Sequence, residues 1–90
     1  MKRYKVARYH AGKLLSQAES KTKYAAADDF LSEVYWMIHG ESLLDRQHGH
    51  NVINGAKALA DKIRREGLHE CSVNLTDDGG VRGKVSLTLA

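Results

Sequence analysis

The hydrophobic period changes near Gly67, and that change most constrains what the chain can become. Before Gly67, apolar residues recur every three to four positions; after it, they alternate one by one. The first pattern is that of amphipathic helices and the second that of half-buried strands. An α+β fold follows: three helices, then a C-terminal antiparallel β-hairpin, with the helices packed on one face of a small sheet.

The first expected helix covers about 3–18. At 100° per residue, Tyr4, Ala7, Ala11, Leu14, Leu15 and Ala18 fall on one stripe, with Lys2, Lys5, Tyr9 and Lys13 opposite. A strand reading would turn Tyr4, Val6, Arg8 and His10 inward, and two of those four are basic. The second helix spans about 23–39. Ser20 or Thr22 can cap it, and Ala27, Phe30, Leu31, Val34 and Ile38 form its core stripe. Gly40 is read as a left-handed stop. Trp36 points away from the stripe, among Asp29, Ser32, Glu33 and Gly40.

Glu41–His50 reads as a connection. A third helix is expected over about 51–66, capped by Asn51, buried through Val52, Ile53, Ala56, Leu59, Ala60 and Ile63, and stopped by a left-handed Gly67. Strands follow at about 70–76 and 80–89. A three-residue loop Asp77-Asp78-Gly79, with Gly79 left-handed, would pair Leu75 with Val81, Val73 with Gly83 and Cys71 with Val85. Gly83 on the core face then leaves room for a helix. Leu87 and Leu89 outrun the first strand, so a further strand is needed from the chain start or from a second subunit. A homodimer through the hairpin edge is the expected answer.

Ninety residues fit a single domain. No stretch approaches the roughly 20 apolar residues that cross a bilayer, and the segment after Met1-Lys2-Arg3 is too polar for a secretory leader. One cysteine, Cys71, allows no internal disulfide. A soluble, cytoplasmic protein is the expectation.

Charge is uneven. The net charge of +3 divides into +6 over residues 1–23, −4 over 24–56 and +1 over 57–90. The basic first helix suggests a nucleic-acid-binding regulator that uses Lys2, Arg3, Lys5, Tyr9 and Lys13, joined by Arg64, Arg65 and Arg82. The element order resembles that of winged-helix DNA-binding domains. That resemblance implies that Asn54, Lys57, Arg64 and Arg65 face DNA, with Arg82 and Lys84 on the wing. A helix-two to helix-three connection of about ten residues departs from that pattern, as do Asp61 and Glu66 on the third helix.

Trp36 flanked by Asp29 and Glu33 suggests an alternative. That is a protein-binding inhibitor or adaptor of the kind that phages and mobile elements encode. A third reading is a small hydrolase built on His48 or His50. No Ser-His-Asp order, phosphate loop or zinc spacing supports an enzyme, cofactor or metal; His39, His48 and His50 lack a convergent third or fourth ligand.

Overall fold

The computed structural model describes residues 3–40, 46–77 and 80–89. The elements run β1 (Tyr4–His10), β2 (Lys13–Ser20), α1 (Lys23–His39), α2 (Arg46–Glu66), β3 (Glu70–Asp77) and β4 (Gly80–Leu89). The class is α+β, but the described residues form two helices and four strands where three helices and two strands were expected.

The amino-terminal helix is absent, replaced by a β-hairpin. Its turn is Ala11-Gly12, with φ of 51° and 80°. Two consecutive left-handed residues give the twist that a two-residue hairpin loop needs. Three of the six residues in the supposed helical stripe are alanines, which fit either period. Of the other three, Leu14 and Leu15 are 48% and 53% exposed. Tyr4 and Val6 instead turn into the core. Arg8, the basic residue that argued against a strand, meets a carboxylate there. Its Nε donates to Glu33 Oε2 at 2.7 Å, and Ser16 Oγ donates to the same oxygen at 2.9 Å.

The sheet order is β2-β1-β4-β3, with every neighbouring pair antiparallel. β1 therefore supplies the strand that β4 lacked, pairing Tyr4 with Leu89 and Val6 with Leu87. No second subunit is needed at that edge. The outer strands β2 and β3 each pair through a register irregularity, at Arg8/Tyr9 and at Leu75/Thr76. Such bulges twist an edge and discourage strand addition.

α1 forms where its capping signal places it, with Thr22 Oγ1 accepting from Ala25 N at 3.1 Å. Phe30 and Val34 are fully buried with Ala26 and Ala27, and Met37 nearly so. Gly40 ends the helix at φ −76°, a right-handed conformation, not the left-handed one expected. α2 begins five residues before Asn51, which lies inside it and accepts from Gln47 Nε2 at 3.1 Å. Gly49, Asn51, Asn54 and Gly55 are poor helix formers, which disguised the start. Gly49 is buried, and Ala56, Ala60 and Ile63 continue the buried face. Gly67 takes φ +65°, as expected.

The β3–β4 register differs from the expected one by two residues. Val73 faces Val85, Cys71 faces Leu87, and Leu75 faces Gly83. The shift between Leu75 and Thr76 brings Thr76 opposite Val81 and Asp77 opposite Gly80. Asp78 and Gly79, on which the three-residue loop depended, lie outside the described residues. All helices pack on one face of the sheet, through Tyr4, Val6, Leu75, Val85 and Leu87.

Gly83 is buried on that face, and a Cβ there would stand 2.8 Å from Met37 Sδ and 3.0 Å from its Cγ. Gly83→Ala should therefore lower stability by about 1–3 kcal/mol, and less in a Met37→Ala background, as read by urea unfolding. Ala11→Gly should raise stability by up to about 1 kcal/mol, because it relieves a left-handed alanine.

Candidate nucleic-acid interface on the sheet

The helix-free face of the sheet is set by strand alternation. Lys5, Ala7 and Tyr9 of β1 point there, because Tyr4 and Val6 point to the helices. Register then fixes three rows across the sheet, read from β2 through β1 and β4 to β3. The first is Glu19, Lys5, Thr88 and Glu70; the second is Gln17, Ala7, Ser86 and Ser72; the third is Leu14, Tyr9, Lys84 and Asn74. Glu19 and Glu70 stand at one end of this face with Lys5 between them, and Tyr9 and Lys84 stand at the other.

The cationic end is concave. A cavity of about 460 Å³ opens there, lined by Tyr9, the Ala11-Gly12 turn, Val81, Arg82, Lys84 and Ser86. Ala11 N donates to Arg82 O at 2.7 Å, which ties the turn to β4 and closes one wall. No carboxylate is among the described residues of the lining. A phenol ring, two cations and a hydroxyl around one hollow suit a ligand that is flat on one side and anionic on the other.

The residues singled out by charge divide between two layers. Lys5, Tyr9 and Arg82 share the open face, with Lys13 exposed at the head of β2. Arg3 stands 4.0 Å from Glu19. Lys2 lies outside the described residues. Arg64 and Arg65 sit on α2, in the helical layer. Arg64 Nη2 donates to Asp28 at 2.9 Å and its Nη1 to Asp61 at 3.2 Å. The Asp28 hydrogen bond, with Asp61 beside it, holds that guanidinium still more firmly in its charged form. Arg65 offers its backbone carbonyl to Lys23 Nζ at 3.3 Å. Residues 4–20 form two strands and not the basic first helix, and the described elements are not in winged-helix order, so the helix-borne lysines that first suggested a polyanion do not exist as a surface. Lys84 was anticipated only as a wing residue, and Ser86 and the Ala11-Gly12 turn were not anticipated as site residues. Their signal was the alternation Lys5, Ala7, Tyr9, which marks a strand.

The acidic cluster beside Trp36 also separates. Glu33 is committed to Arg8 and Ser16. Asp29 is half-buried, and burial, then the Asp28 and Glu33 carboxylates, push its carboxyl up from the usual value of 3.8. Trp36 itself is 63% exposed. His48 and His50 lie two residues apart on α2, about 200° around the helix from one another, so one ion cannot take both. No group of three or more metal-ligating side chains occurs among the described residues. Cys71 is half-buried beside Leu87, and burial pushes its thiol up, away from reactivity. Among the described residues, no helix is long and apolar enough to cross a membrane.

Compared with family models, with curated proteins and with solved structures, the chain matches none.

Asp29 carries a checkable consequence. The folded chain holds its proton more tightly than the unfolded chain does. Its stabilising contribution is therefore complete below 3.8 and lost as pH rises through the higher folded value. Asp29→Asn should melt above the parent at neutral pH, and the gap should close as the pH is brought below 3.8.

Proposed function

We propose that this chain is a non-catalytic protein that binds single-stranded nucleic acid on the helix-free face of its sheet. The observation that carries the reading is the cavity in which Tyr9 stands opposite Lys84, with Arg82 and Ser86 beside it and no carboxylate in its described lining. Base stacking on an aromatic ring tolerates any base, and flanking cations take the phosphates. Four-stranded sheets with exposed aromatics bind unpaired RNA in this way. A single strand suits this face better than a duplex, because no helix among the described residues lies on it to enter a major groove.

Size and charge agree with such a role. Lys13 lies at the turn that walls the cavity, and Lys5 stands two rows away, beside Glu19. Glu19 and Glu70 close the far end and limit the track to a few nucleotides.

Fluorescence anisotropy with labelled single-stranded DNA and RNA, and with a duplex, tests this. Affinity should be highest for a single strand and fall as salt rises. Tyr9→Ala should cost about 1–3 kcal/mol of binding. Lys84→Ala should weaken all sequences alike and reduce the salt slope by about one. Absence of binding at low salt, or binding that salt does not affect, overturns the reading.

A further inference from the structure

The hollow at the Tyr9 end of the sheet holds one group that neither stacking nor charge neutralisation uses, the Ser86 hydroxyl. Ser86 follows Lys84 by two positions on β4, so both side chains rise on the helix-free face, about 7 Å apart along the strand. Tyr9 stands directly opposite Lys84 across the β1–β4 pair and diagonally from Ser86, a separation that an aromatic side chain spans. A ring, an ammonium and a hydroxyl therefore form a triangle around one concavity.

A nucleotide offers three groups of matching kinds around a single sugar: a base, a phosphate and, in RNA alone, a 2′-hydroxyl. With the base on Tyr9 and a phosphate on Lys84, the sugar that links them falls towards the third corner. A serine hydroxyl both donates and accepts, and the 2′-hydroxyl is what lets a protein tell RNA from DNA at a given site. Ser86 is half-buried in the cavity wall. Its neighbours across the row are Ala7, which has no polar side-chain atom, and Ser72. Among the described residues, no side-chain hydrogen bond or ion pair engages Tyr9, Lys84 or Ser86. A deoxyribose laid against Ser86 would displace its water and return no hydrogen bond, which is costly for a partly buried hydroxyl. The other place where a hydroxyl stands beside a cation is Thr88 opposite Lys5, and that row is bracketed by Glu19 and Glu70, which repel a phosphate.

We propose that Ser86 makes this chain selective for single-stranded RNA over single-stranded DNA, by hydrogen bonding to the 2′-hydroxyl of the nucleotide whose base stacks on Tyr9. The inference rests on the sheet face being a nucleic-acid surface, and adds to that reading the sugar that the surface takes. Tyr9 and Lys84 act on both polymers alike, since every base has a π-face and every phosphate a charge. Ser86 alone of the three meets a group that only one polymer carries.

Fluorescence anisotropy with two labelled single strands of equal length, one of uridine and one of deoxyuridine, tests this, because the two differ only at the 2′ position. The uridine strand is expected to bind about five- to tenfold more tightly, the worth of one neutral hydrogen bond. Ser86→Ala should abolish the preference by bringing the uridine strand down to the deoxyuridine level. Ser86→Thr keeps the hydroxyl on a strand that favours β-branched residues, and should retain the preference. Both variants should melt with the parent, because Ser86 takes no part in the core. Equal affinity of the parent chain for the two strands overturns the inference and leaves the binding surface standing. So does a uridine preference that survives Ser86→Ala. Binding of neither strand at low salt overturns both the inference and the reading on which it rests.

Discussion

Arg8 sits at the third inward position of a strand paired on both sides, where most sequences place an aliphatic residue. The guanidinium stays there because Glu33 reaches down from α1 and Ser16 shares the same carboxylate oxygen. The two charged side chains keep 24% and 20% of their exposure, so the pair is neither a surface ornament nor a fully desolvated ion pair. Its importance is geometric. One hydrogen-bonded carboxylate joins β1, β2 and α1, and so fixes where α1 crosses the sheet. The seat of Met37 over Gly83 and the outward turn of Trp36 follow from that placement.

Two parts of the fold were legible in the residues and two were not. α1 was readable because Thr22, the Ala27–Phe30–Val34 stripe and Gly40 agree on its limits. The β3–β4 hairpin was readable because alternation is unbroken from Cys71 to Leu75 and from Val85 to Leu89. Even the close approach of a helix at Gly83 could be anticipated. The amino-terminal hairpin was hidden by alanines that suit either period, by a turn without an asparagine or aspartate, and by Arg8, whose partner lies 25 residues away. The start of α2 was hidden by glycines and asparagines that packing overrides. Register slipped because a bulge at Leu75/Thr76 cannot be seen in a pattern of alternation.

The same facts explain what was legible of the candidate site. Tyr9, Lys5 and Arg82 were singled out from composition, but their assembly on one surface required strand pairing across β1 and β4. Arg64 and Arg65 were singled out for the same reason and belong to another layer, where Asp28 and Asp61 hold Arg64. Charge counts identify which residues matter to polyanions. Only topology says which of them share a surface.

The order of elements reads hairpin–helix, then helix–hairpin, and the two hairpins meet along β1 and β4. That seam joins Tyr4 to Leu89, so its contacts close a loop of nearly the whole chain. Each hairpin forms from neighbours in sequence, whereas the seam pays the largest loop-closure entropy in the molecule. Folding is thus a matter of two local halves finding each other late. At high concentration the first half of one chain meets the second half of another on equal terms, which makes half-for-half exchange the characteristic misassembly of this architecture.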